Sequence, residues 1–442
     1  MSRAKTQAAS DLTQGSIWKG MLQFFLPIML GTLLQQLYST VDSIVLGRFV
    51  GKEALGAVGG SNTAIINLLV GFFVGLASGA SVIIAQHYGA KEGRLVRRGV
   101  YTAIVLSIAL GAFLTVVGIG SARALLTALA TPDDLMQYSM DYLQWYYAGM
   151  IPAMIYNMGS GILRAVGDSK RPLYFLAVCM LVNTVLDLFF VAVLRMEVKG
   201  AAIATSLSQL ICAVLVIRTL RRRDDSCCLR AEKHGFDWKL LGRMLAIGLP
   251  AGVQSTLYSI TNVFVQKAVN SLGSDTVAAW SAFWKLDGLF WPVSGAIGIA
   301  VMTFVGQNYG ARKPDRIHAS IRAGIALHFG FSVLHTAFLY LAREPVLRLF
   351  CTDEAVIAQG VEIVSYIVLG YLTIFPTEVF SSAMRGAGNA IRPTLLTLIG
   401  ICALRMVLLL TITFPHTSNL TIAICYPITW CVSSLLFVLY YK

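Results

Sequence analysis

A single carboxylate stands in a segment otherwise suited to lipid. From Leu22 to Leu46 the only formally charged side chain is Asp42, within "LYSTVDSIVLG" at residues 37–47. An unpaired acid inside a membrane costs several kcal/mol, so such a residue is a functional candidate by default. Gln35, Tyr38 and Asp42 follow i, i+3, i+7 spacing and make a polar stripe on one helix face. A second acid, Asp187, lies in another apolar run, with Asn183 four residues earlier on the same face. Thr205 lies near the start of the next run. Counted from the run ends away from the termini, Asp42, Asp187 and Thr205 all sit roughly 8–10 Å deep at 1.5 Å per residue. If their three helices meet, two carboxylates, an amide and hydroxyls converge. Two close carboxylates in a low dielectric can take up and release a proton, and the same oxygens can coordinate Na⁺. The residues themselves leave that choice open.

The elements that must position these groups follow from composition. The 442 residues are 56% hydrophobic and 13% charged, about half the charge of soluble domains. Twelve apolar stretches are each about 20 residues or longer, enough to cross a hydrocarbon core of roughly 30 Å as helix. They lie near 18–47, 54–86, 99–122, 138–162, 173–194, 200–220, 244–270, 277–308, 322–341, 357–384, 394–414 and 420–441. The net charge of +13 is concentrated on one side. About 25 of the 35 Lys and Arg fall in the loops that share a side with both termini, which places the termini in the cytoplasm of a cell-membrane protein. That distribution explains the charge without nucleic acid. The eight cysteines show neither a disulfide scheme nor zinc-ligand spacing. The polar first 17 residues predict insertion by the first span, without a cleaved signal peptide.

The chain repeats itself. "QHYGAKEGR" at 86–94 recurs as "QNYGARKPDR" at 307–316, and "RAVGDSKRP" at 164–172 as "RGAGNAIRP" at 385–393. "LYSTVD" at 37–42 recurs as "LYSITN" at 257–262, so the offsets are 220 or 221 residues. Six spans per copy is an even number, so the copies run parallel about an axis along the membrane normal. The expected organisation is an all-α membrane protein with a cytoplasmic segment 1–17, an N-lobe 18–220, an inter-lobe loop 221–243 and a C-lobe 244–442. Such a chain has little to do but move cargo, as a monomer in the bilayer and without a cofactor. The phosphate-binding pattern G-x-x-x-x-G-K-[ST] is absent, which argues against nucleotide drive. A membrane-embedded enzyme would need a nucleophile or an acid-paired His. His87 lies at an interface, but the sequence pairs it with no acid.

Taken together, "LPIMLGTLLQQLYSTVDSIVLGR", "QHYGA", "ILRAVGDSKRP", "NTVLD", "GAAIAT", "QNYGA" and "MRGAGN" make the chain resemble the multidrug and toxic compound extrusion (MATE) transporters, closest to their DinF-like branch. The resemblance implies two six-helix lobes around a central cavity and export in exchange for H⁺ or Na⁺. It implies a first-lobe cation site at Asp42, Asn183, Asp187 and Thr205, and marks Pro27 as a hinge candidate. It also admits flippases of lipid-linked precursors within the wider superfamily.

The second lobe departs from the family pattern. "STLYSITNVFVQK" lacks an acid that some members carry, and Asn183 and Asp187 fall opposite Leu404 and Leu408. Glu378 matches the general position of a second-lobe acid, with Asn157 as its counterpart in the repeat. Lys285, Asp287 and Arg405 read as near mid-membrane. Either they pair internally, with one another or with Glu378, or their cations form an anion-binding patch that disfavours lipophilic cationic drugs. Gln35, Tyr38, Asn157, Lys285, Asp287, Glu378 and Arg405 are the substrate-contact candidates.

Overall fold

The computed structural model describes residues 11–129, 131–230, 235–350 and 353–441. Most of segment 1–17 and residues 231–234 of the inter-lobe loop therefore lie outside the described residues. The chain is a succession of helices: α1 Ile17–Phe49, α2 Val58–Gly89, α3 Gly93–Ala128, α4 (Asp133–Ala148 and Met150–Ala165), α5 Lys170–Val193 and α6 Glu197–Arg221. A second set repeats the plan: α7 Trp238–Asn270, α8 Ser274–Gly310, α9 Pro314–Leu347, α10 (Glu354–Leu372 and Phe375–Gly386), α11 Ile391–Thr413 and α12 Asn419–Tyr441. Capping residues mark several starts. Asp237 accepts from the backbone N–H groups of Lys239 and Leu240 at 2.9 and 3.1 Å, and Asp353 caps α10 through Ala355 N–H at 2.8 Å.

Ten helices among the described residues are long and apolar enough to span a membrane by themselves. The two others differ for local reasons. The apolar stretch 138–162 reads as one span, but Gly149 divides α4. The interruption frees carbonyls, and other helices satisfy them: Ser206 Oγ donates to Trp145 O at 2.9 Å and Thr115 Oγ1 to Tyr147 O at 2.8 Å. The α7 helix is 33 residues long and runs through Pro250 unbroken, but it carries Gln254, Ser255, Ser259 and Asn262, which all line a cavity. Helix α1 likewise continues through Pro27.

The two halves meet by reciprocal contacts between the repeated motifs. Gln86 Nε2 donates to Gly386 O at 2.9 Å, and its repeat partner Gln307 donates to Ala165 O at 2.7 Å. A Cβ on Gly89 would lie 1.9 Å from Gln307 O, and one on Gly310 would lie 1.8 Å from Gln86 O. Each contact maps onto the other by the 221-residue offset, as a twofold relation between the halves requires. Further along, Gly79 and Gly248 leave no room for a Cβ against the Met244 and Leu76 carbonyls, at 2.1 and 2.2 Å. Backbones this close need small residues. Residues 11–15 lie over the same end. Leu12 N–H donates to Gln307 Oε1 at 3.2 Å, and Arg316 donates to the Leu12, Gln14 and Gly15 carbonyls. The halves are thus closed at the end bearing the termini.

Gly310→Ala forces a methyl into the Gln86 backbone and is expected to destabilise by about 1–3 kcal/mol or more. Gly242→Ala has open space around its Cβ in a helix interior and is expected to be neutral or stabilising by up to about 1 kcal/mol. Thermal unfolding of the two variants in detergent checks the contrast.

Candidate functional site

Helices α1, α5 and α6 pack together and bring the first-lobe candidates into one cluster. Asn183 and Asp187 are fully buried on α5, Asp42 on α1 is 8% exposed and Thr205 on α6 is 7% exposed. The Asn183 amide lies between the acids. With its nitrogen facing them it donates to Asp42 Oδ1 at 2.8 Å and to Asp187 Oδ2 at 3.1 Å. Its oxygen then lies 3.3 Å from the Tyr38 hydroxyl, which donates to Thr205 Oγ1 at 3.0 Å. One amide nitrogen thus reaches both carboxyl groups. Asp187 Oδ1 is buried and has no hydrogen-bond partner. Directly after Asp187 the helix opens into a π-helical turn, Leu188–Val193, a local widening often found at functional positions.

Two acids this close in a dry site are strongly disfavoured as two bare anions, so the pair retains a proton or takes a cation. The amide discriminates between them. With its N–H groups on the carboxylates it suits a shared proton. Turned over, it presents an oxygen to both acids, the arrangement a Na⁺ ion needs. Asp42 alone of the two acids borders a cavity of about 930 Å³ between the halves, lined also by Gln35 and Tyr38 from the first lobe and by Gln254, Glu378 and Arg385 from the second. Its lining on α2 runs from Val58 to Ser78, so it lies beyond the glycine contacts, toward the end opposite the termini.

The second-lobe candidates separate. Arg405, Asp287 and Glu378 border an adjoining pocket of about 520 Å³. Among the described residues no Lys or Arg nitrogen pairs with Asp287 or Glu378 within 4.0 Å, so internal ion pairing is not what holds them. Asp287 instead accepts from Trp291 Nε1 at 2.9 Å and from the Tyr371 hydroxyl. Lys285 is exposed and points outward, its Nζ 5.6 Å from the Phe350 ring centroid. It lines neither cavity. The helix rotates it away from the interior that its depth suggested. Asn157 also lines neither, and its amide bonds back to Ala153 O of its own helix at 2.9 Å.

Some residues escaped the sequence reading. Arg385 lies within "MRGAGN", yet past the expected end of span 357–384. It faces the cavity and donates to Gln254 Oε1 at 2.6 Å. Tyr142 and Tyr146 stack at 5.8 Å and line the same cavity. His87 does have an acid partner, with Nδ1 2.5 Å from Glu92 Oε2. Glu92 lies in the tight turn between α2 and α3, where the chain folds back to bring it beside the ring.

A family model described as MatE matches residues 27–189 and again 250–411, one match per half. The chain belongs to the MatE family. It is therefore a multi-pass membrane transporter and not an enzyme. Relatives similar to it include the probable multidrug resistance protein YoeA of Bacillus subtilis, 28% identical over 97% of this chain and 94% of that protein. Another is an FAD transporter of Shewanella oneidensis, 24% identical over 78% of this chain and 77% of that protein. A solved structure described as the outward-facing conformation of a multidrug resistance MATE family transporter superposes with a TM-score of 0.91. It is 23% identical, and the match covers 99% of this chain and 97% of that one. The twelve-helix, two-lobed MatE architecture is thus shared along the whole chain.

Carbodiimides attack protonated carboxyl groups that a reagent can reach. In this MatE protein they are expected to modify Asp42, which retains cavity exposure, and to spare the fully buried Asp187. Peptide mass spectrometry of the reacted protein reads the difference directly.

Proposed function

We propose that the chain is a secondary active exporter in which Asp42, Asn183, Asp187 and Thr205 couple cargo movement to H⁺. The observation that carries this reading is the Asn183 amide held within hydrogen-bonding distance of two buried carboxyl groups at the edge of the cavity. Both acids sit in the first lobe, and the second lobe has Asn262 and Leu408 at the corresponding places. Na⁺ is a second reading, favoured by the ability of the same amide to turn its oxygen toward both acids.

The positive charge on the side of the termini supports a cell-membrane protein with both termini in the cytoplasm, divided as 1–17, 18–220, 221–243 and 244–442. On that orientation the lobes are closed inside and the cavity faces out. The chain acts as a monomer in the bilayer. Cargo enters from the cytoplasm when the reciprocal Gln86 and Gln307 contacts part. Protonation of the Asp42–Asp187 pair from outside then favours the state that has released cargo. A ligand shifts such an equilibrium only by its difference in affinity for the two states, and the pair differs between them by whether the cavity wets it. Pro27 serves as the hinge candidate on α1, since its missing N–H leaves one backbone link absent below the stripe. The relatives' names cover multidrug resistance and FAD transport, so kinship leaves the cargo class open. A flippase reading has no comparable support, because the cavity carries few cations.

The test is counterflow in proteoliposomes with ΔpH and ΔNa⁺ imposed separately. The unmodified protein should respond to ΔpH. Asp42→Asn should lose at least tenfold of the gradient-driven rate while inserting normally. Full activity in that variant would end the assignment, and a response to ΔNa⁺ alone would move it to the second reading.

A further inference from the structure

The pocket of the second lobe has a feature that proton coupling does not use. Arg405 is 3% exposed, deep in α11. Its Nη2 donates to Thr429 Oγ1 at 3.2 Å, and its guanidinium carbon lies 4.3 Å from the Tyr426 ring centroid. Its Nε has no partner, and among the described residues no carboxylate oxygen lies within 4.0 Å of its nitrogens. Arginine is permanently charged, so burial cannot neutralise it. A buried guanidinium held by one hydroxyl and a ring face is costly, and membrane proteins retain such groups for a ligand or a partner charge.

Neither acid that borders the pocket pairs with Arg405. Both oxygens of Asp287 accept, from Tyr371 and Trp291. Glu378 also borders the pocket but lies beyond 4.0 Å of the Arg405 nitrogens. The backbone supports the placement. Arg405 sits in a short α-helical stretch, Leu404–Leu408, flanked by π-helical turns at Leu398–Ala403 and Leu409–Thr413. Such turns re-aim side chains and cluster at functional positions. The walls around Arg405 are aromatic: Tyr258, Trp284, Trp291 and Tyr426 border the pocket. Tyr258, Asn262 and Glu378 border both this pocket and the central cavity, so the two adjoin.

We propose that this pocket recognises the cargo, and that the cargo class is an aromatic organic anion whose carboxylate or phosphate takes the free edge of Arg405 while its ring lies among Trp284, Trp291 and Tyr426. The planar fork of a guanidinium matches both groups. The inference rests on the export reading for its role in transport, but binding itself needs no ion gradient.

Flavin mononucleotide and riboflavin carry the same ring with and without a phosphate, and both quench nearby tryptophans. Titrated into the purified protein, flavin mononucleotide is expected to bind at least tenfold more tightly than riboflavin. Arg405→Met should erase that preference. Arg405→Lys, which keeps the charge but loses the fork, should leave part of it. Asp42→Asn should keep the whole preference, so that a failure of coupling and a failure of recognition are told apart. Equal affinity for the two flavins in the unmodified protein would overturn the proposal, and that comparison stands even if a variant fails to fold. Persistence of the preference in Arg405→Met or in full in Arg405→Lys would overturn it equally.

Discussion

The coupling proposed for the first lobe depends on placing two carboxyl groups against one amide in a dry site. Separate helices supply them, Asp42 from α1 and the Asn183–Asp187 pair from α5, so the site exists only while those helices stay packed. Each acid alone would be a costly defect in the bilayer. Together, with Asn183 within reach of both and Tyr38 linked to Thr205, they can hold or release one proton without leaving a bare charge. Burial also sets the direction of access. Asp42 keeps a little exposure while Asp187 has none, so exchange with the cavity has to pass through Asp42.

The internal repeat has been used twice, for opposite ends. At the end bearing the termini both copies keep the same motif, and the result is a symmetric closure in which each Gln reaches across to a carbonyl of the other half. Glycine is required there because the approaching groups are backbone carbonyls under 2 Å from a built Cβ. Away from that end the copies diverge. The first carries the acid pair, and the second carries Arg405 and a wall of aromatic rings. A transporter needs its gate to be reversible and its two loads to be distinct, and symmetric closure with asymmetric pockets meets both needs.

Much of this was legible in the sequence for one reason: charge inside an apolar span is rare and expensive, so its position is informative. That logic found Asp42, Asn183, Asp187 and Thr205, which do meet, and the repeat motifs predicted two copies of one unit. It did less well where rotation about a helix axis decides. Lys285 has interior depth, but a uniformly apolar helix gives no periodicity to say which way a residue faces, and this one points outward. Arg385 was hidden by the opposite error, since a span boundary placed one residue early makes a cavity arginine look interfacial. The break at Gly149 is satisfied by Ser206 on another helix, and the π-helical turns around Arg405 leave no mark in a pattern read at 3.6 residues per turn.

The two pockets also constrain each other. They share Tyr258, Asn262 and Glu378, so cargo seated at Arg405 alters the surroundings of Glu378 and, through the common cavity, the water that reaches Asp42. No direct bond between cargo and acid pair is then needed. It is enough that the two loads favour different states of the shared cavity, because a proton on the pair that stabilises the emptied state lowers the affinity for cargo by the same factor. Competition between cargo and proton would be a different arrangement, with both loads on the same carboxylate, and the placement of Arg405 and Asp42 in separate lobes argues for the indirect route.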